Sequence, residues 1–186
     1  AGGVGAEFRP LPEIEQAGGP KPALVALDLA TATEENVLHL AGGLAQEFPH
    51  LDGLLHNASI LGERRPVESA GYAAWLEVMQ VNVNAQFLLT RHMLPLLQAA
   101  PAASIVFTSS GVGRKGRAYW GAYGVSKAGL RCMARAFAEE LEGTGVRVHG
   151  LDPGPMRTSL RATAFHSEDP ETVPDPAGPA PVTMQS

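Results

Sequence analysis

Four short apolar runs punctuate the chain, and longer amphipathic stretches separate them. The runs are Pro22–Leu29, Leu51–Ala58, Ala103–Ser110 and Val146–Leu151. Asp152-Pro153-Gly154-Pro155 must stop the last one, because proline lacks the N–H that a ladder needs and glycine favours a turn. Within the runs apolar residues are near-continuous and do not alternate cleanly, the pattern of strands covered on both faces. The expectation is a parallel sheet sandwiched by helices.

The stretches between the runs read as crossover helices. Thr33–Phe48 places Val37, Leu40, Leu44 and Phe48 at spacings of three and four, with Thr33 as N-cap before Glu34 and Glu35. Ser69–Leu97 carries one long apolar stripe, which Pro95 kinks or closes. Ala122–Leu141 offers Val125, Ala128, Cys132, Phe137 and Leu141 as an inward stripe, with Gly143 and Gly145 as stop signals. The order is β-α-β-α-β-α-β, a doubly wound α/β fold. Residues 170–186 hold five prolines and no periodicity, so an irregular or disordered tail is expected there, with one domain over 1–169.

Composition narrows the classes. A chain of 186 residues, 45% hydrophobic, supports one domain with a core. A net charge of −5 with scattered basic residues gives no footprint for nucleic acid or an anionic membrane. One cysteine, Cys132, excludes an intrachain disulfide and suits a reducing compartment. No run reaches 18 apolar residues and the start lacks signal-peptide order, so a cytoplasmic protein is expected. The six histidines show no metal-ligand spacing, and no metal site is expected.

In a doubly wound sheet, ligands bind beyond the carboxyl ends of the strands. Those ends are Asp28, Asn57-Ala58, Ser109-Ser110 and Pro153-Gly154, all small or polar. The sharpest feature is Tyr123-Gly-Val-Ser-Lys127 at the start of the third helix. Spacing i, i+4 puts phenol and ammonium on one helix face, where a cation favours phenolate and brings the phenol toward acid/base work near neutrality. Ser110 closes the preceding strand, within reach of the same point. Cys132 reads as a core residue.

With these pieces in order, the sequence resembles the short-chain dehydrogenase/reductase family over about residues 22–165. The resemblance rests on Asn57-Ala58, Asn82 within Val81-Asn-Val-Asn84, Ser110, Tyr123-x-x-x-Lys127 and Pro153-Gly154-Pro-Met-Arg-Thr158. The wording of these segments looks like the family's bacterial YciK-like branch. The resemblance implies an oxidoreductase moving a hydride between NAD or NADP and a small-molecule carbonyl or secondary alcohol. Tyr123 would be the acid/base, Lys127 would lower its pKa and hold the nicotinamide ribose, Ser110 would bind the substrate oxygen, and Asn82 would serve a water-linked proton relay. Asn57 and Ala58 would approach the adenosine ribose, Asp28 and Leu29 the adenine, Thr158 the carboxamide, and Pro153 and Gly154 would flank the cofactor. A homodimer or homotetramer is implied through the helices at 70–97 and 122–141. Two other readings remain open: a Rossmann-fold binding or regulatory protein with impaired catalysis, and an extended-type epimerase or dehydratase, which the lack of a substantial substrate domain disfavours.

The chain departs from the family at both ends. Gly3 and Gly5 resemble the close of its phosphate-binding glycine motif, but Arg9-Pro10-Leu11-Pro12 follows at once, and the first two strands and the last strand have no apolar run to form them. Two explanations stand: pieces of a longer chain are joined near Phe8–Leu11, which is the favoured expectation, or the chain is a truncated product. NAD and NADP are not distinguished, because the discriminating residues lie around the missing second strand.

Overall fold

The computed structural model describes residues 24–178 without a break, residues 16, 18, 19 and 22 before them, and the backbone of 183–185 after them. Helix α1 spans Glu34–Glu47, and its N-terminus is built as the sequence predicts. The Thr33 hydroxyl accepts the Asn36 N–H at 3.2 Å, and the Asn36 side chain accepts the Thr33 N–H at 3.0 Å. Strand β1 (Gly53–His56) leads to helix α2 (Tyr72–Met79), a π-helical turn over Gln80–Asn84, and helix α3 (Ala85–Gln98). Pro95 stands inside α3 and does not close it. Strand β2 (Ala103–Thr108), helix α4 (Gly121–Glu140), strand β3 (Val146–Asp152), helix α5 (Ser159–Ala164) and strand β4 (Thr183–Gln185) complete the order.

The sheet runs β1-β2-β3-β4. The first three strands are parallel, with His56 opposite Phe107 and Thr108 opposite Leu151. Parallel neighbours in sequence order require crossovers, and right-handed crossovers carry α2–α3 and α4 over the same face. The core lies there: Ile105 and Phe107 of β2 and Val146 and Val148 of β3 pack with Met93 and Leu97 of α3 and Leu130 and Ala134 of α4.

Three expectations change. First, residues 24–28 form no strand, and Leu24 and Val25 are 64% and 60% exposed. A strand exists only through a hydrogen-bonded neighbour, and among the described residues β1 pairs with β2 alone. Second, burial alternates along β2 and β3, with one face buried and the other partly exposed. The near-continuous apolar runs put Leu55, Val106 and Leu151 on that second face, so the described helices do not sandwich the sheet. Third, the segment after 169 is not wholly irregular. It holds a 3₁₀ turn over Pro170–Thr172, a buried Val173, and β4, which pairs antiparallel to β3 with Met184 opposite Leu151. Arg157 fastens this segment through Glu171 at 2.8 Å and Asp175 at 3.2 Å. Phe8–Leu11, where a junction of pieces was expected, lies outside the described residues.

Candidate active site

The carboxyl ends of β1, β2 and β3 converge beside the start of α4. At β2, Thr108 presents its hydroxyl to the Asn57 side-chain oxygen across the β1 end at 3.2 Å. At β3, the Asp152 carboxylate accepts the Gly154 N–H at 3.1 Å and folds the chain away from the sheet, with Gly154 at φ +73°. Tyr123 and Lys127 point inward from α4 and are buried, with Lys127 only 1% exposed. The Lys127 ammonium donates to the Thr108 carbonyl at 2.8 Å and lies 5.6 Å from the centre of the Tyr123 ring. Ser110 lies near enough to the Tyr123 phenol to lower its pKa by hydrogen bonding. The 3₁₀ turn Gly111–Gly113 holds Ser110 in place by lying directly on α4. A Cβ at Gly113 would come within 2.7 Å of the Lys127 carbonyl carbon, so only glycine allows that approach.

The electrostatics differ from the reading of Tyr123 and Lys127 as a simple pair. Burial raises the phenol pKa, the Ser110 hydrogen bond opposes that rise, and the Asp152 carboxylate adds to it. The ammonium does not pull the phenol down as the spacing predicted. It is itself desolvated, and its pKa falls to about 8, so the buried site disfavours its charge as well.

The other expected residues fall into place unevenly. Asn82 sits in the π turn, fully buried, with its side chain committed. Oδ1 accepts the Ile60 N–H at 2.8 Å, and Nδ2 donates to the Ile60 carbonyl at 2.9 Å and to Ser126 Oγ at 3.0 Å. Ser126 in turn donates to the Tyr123 carbonyl at 2.8 Å. Asn82 thus ties the loop after β1 to the helix that bears Tyr123. Asn57 and Ala58 are exposed at the β1 end. Asp28 forms a turn, accepting the Ala30 N–H at 3.0 Å, and the Leu29 carbonyl faces Gln80 Nε2 at 3.4 Å. Thr158 caps α5 by accepting the Arg161 N–H at 3.3 Å. Gly3 and Gly5 lie outside the described residues. Cys132 is exposed, contrary to its reading as core. The inward face of α4 is Tyr123, Ser126, Lys127, Leu130 and Ala134, while Val125, Ala128 and Cys132 face outward. Polar residues took the inner face because the site lies there, which an apolar stripe does not reveal.

The sequence marks Arg114 as part of a basic cluster with Lys115 and Arg117, and Trp120 with Tyr119 as pocket lining or packing, but the partners of both emerge only in the structure. Arg114 pairs with the buried Asp152 carboxylate at 3.0 Å, beside Gly111 and hence beside the Ser110 turn. The separation of 38 residues hid this pair, although both strand ends were marked. The second group is an aromatic wall: Trp120 lies 5.8 Å from Tyr123 and 5.7 Å from Phe165, with the Arg64 guanidinium 4.5 Å over Trp120.

A family model described as short chain dehydrogenase matches residues 9–169. The chain belongs to the short chain dehydrogenase family. It is 46% identical over 171 residues to the Escherichia coli K12 protein named "Uncharacterized oxidoreductase YciK", covering 92% of this chain and 68% of that one. A crystal structure of a short chain dehydrogenase from Salmonella enterica serovar Typhi matches with TM-score 0.87 and 46% identity, covering 90% of this chain and 69% of the other. A structure from Escherichia coli CFT073, complexed with NADPH, matches with TM-score 0.86 and 46% identity over the same shares. About a third of each relative has no counterpart in this chain. The family is one of oxidoreductases that use NAD or NADP, and the fold is Rossmann-like. Among the described residues, no helix is long and apolar enough to cross a membrane.

Proposed function

We propose that this chain carries the catalytic centre of an NAD(P)-dependent oxidoreductase acting on a small carbonyl compound or secondary alcohol. The observation that carries the reading is the meeting of Ser110, Tyr123 and Lys127 at the β2 end. The strand ends suit a dinucleotide there: Asn57 and Ala58 are small and exposed, and the turn at Gly154 has no side chain to obstruct it. When bound, the nicotinamide supplies or accepts the hydride. Ser110 holds the substrate oxygen by its hydroxyl. Tyr123 gives its phenolic proton to that oxygen in reduction and takes it back in oxidation. A raised phenol pKa keeps the proton in place at neutral pH, ready for the reductive direction. Lys127 spends one of its three N–H donors on Thr108 and keeps two, which suit ribose hydroxyls. Asn82, through Ser126, holds Tyr123 at its height above the sheet.

The reading includes a cytoplasmic location and a homo-oligomer. The outward Val125 on α4 and Tyr72 and Leu76 on α2, at 48%, 74% and 48% exposed, support the second. The cofactor half of the reading is tested by titrating the purified protein with NADPH and NADH while following nucleotide fluorescence, then assaying a panel of aldehydes and ketones with each. Binding of one nucleotide with turnover of at least one carbonyl compound is expected. Binding without turnover of any compound would favour a regulatory or binding protein instead, and no binding would reject both.

A further inference from the structure

We infer that Arg64 forms an anion subsite beside the catalytic centre, so that the preferred substrate is a carbonyl compound bearing a carboxylate. This rests on the oxidoreductase reading and names its substrate class. A cleft of about 360 Å³ is lined by Leu61, Gly62, Arg64, Tyr119, Thr163 and His166. It adjoins Tyr123, because Leu61 packs in the same apolar cluster as Tyr123, Trp120 and Ala164. A substrate held at Tyr123 and Ser110 has this cleft as a place for its far end.

The lining is rich in donors and holds no carboxylate. Two arginines flank the aromatic wall, and they differ in one respect. Arg161, 4.5 Å over Phe165, is neutralised by Glu168 through two bonds of 2.6 Å. Arg64, 4.5 Å over Trp120, donates one N–H to the Ala164 carbonyl and has no carboxylate partner among the described residues. The neighbouring acid, Glu63, pairs with Arg65 at 3.4 Å instead. A guanidinium presents five N–H groups in a planar fork that matches a carboxylate edge. One is used, and its aromatic support fixes the plane of the fork. The geometry therefore offers a charged, oriented receptor, without a carboxylate partner among the described residues, at the rim of the substrate site.

The test compares 4-formylbenzoate with 4-methylbenzaldehyde, each reduced to its alcohol with hydride from NADPH and a proton from the enzyme, in the wild type, Arg64→Met and Arg64→Lys. A parallel arm follows the binding of 4-methylbenzoate, which cannot react, through Trp120 fluorescence in a Trp75→Phe background. The wild type is expected to favour the carboxylated aldehyde in kcat/KM by about tenfold or more, the scale of a charge-assisted bond. Arg64→Met should remove that preference while leaving 4-methylbenzaldehyde unchanged, and Arg64→Lys should keep part of it. A merely structural Arg64 would lower both substrates together, which overturns the subsite. Equal turnover of both aldehydes by the wild type overturns it too and leaves the oxidoreductase reading standing. If neither aldehyde is reduced, the oxidoreductase reading rests on the wider carbonyl panel and the binding arm decides the subsite. Arg64-dependent binding of 4-methylbenzoate supports the subsite, and no binding overturns it.

Discussion

Tyr123 and Lys127 illustrate how burial changes the meaning of a motif. The four-residue spacing was legible in the sequence, as was the alignment of Ser110 with it, because the helical period and the strand end are both local. The direction of the phenol pKa was not legible, since it depends on desolvation and on Asp152, which sits 29 positions away. The Asp152 carboxylate raises that pKa, so Asp152→Asn should lower it. The oxidation rate, which needs phenolate, should then begin its rise with pH at a lower value than in the wild type, as read from a kcat profile. His56 makes a second prediction at this scale. It is buried, stacked on Phe107 and bonded to Thr90 at 2.8 Å, and burial pushes its pKa down to about 4. Between pH 6.5 and 4 the unfolded chain binds a proton that the folded chain refuses, so stability is full above that window and declines as pH falls through it. The loss should reach about 3 kcal/mol by pH 4, and His56→Gln should flatten the curve in urea titrations.

Among the elements, the Gly111–Gly113 turn packs closely on α4 beside Lys127 and so positions Ser110 at the site. Gly113→Ala places a methyl group against the Lys127 backbone, so the turn or the helix must move. A stability loss of about 1–3 kcal/mol is expected, with a drop in kcat that exceeds it because Ser110 leaves its position. Thermal unfolding and steady-state kinetics measure the two effects separately. The α1 N-terminus should respond more simply: Thr33→Ala removes the cap at a cost of about 1 kcal/mol without changing kcat. Helix and strand positions were largely readable from apolar period and from glycine and proline. The π turn at Gln80–Asn84 was not, because it coincides with a long-range contact, the Asn82 side chain bonding Ile60 across 22 residues. Nor was the outward turn of Cys132, because an apolar stripe alone does not say which face of α4 meets the sheet.

For the whole molecule, the resemblance to a known family was legible while the extent of the sheet was not. Residues 24–28 have strand-like composition, and their exposure shows that composition does not make a strand without a neighbour. The outward residues of α2 and α4 bear on assembly. If the proposed homo-oligomer forms through this face, Val125→Arg should shift the sedimentation coefficient toward the monomer, and an unchanged coefficient would contradict that contact. The central claim is that Tyr123 is the acid/base of an oxidoreductase. Its most direct test is Tyr123→Phe, assayed with NADPH on an aldehyde that the wild type reduces. The variant should bind NADPH and unfold at nearly the wild-type temperature, while kcat falls by a factor of about 10² to 10⁴. Retention of wild-type kcat would contradict the assignment.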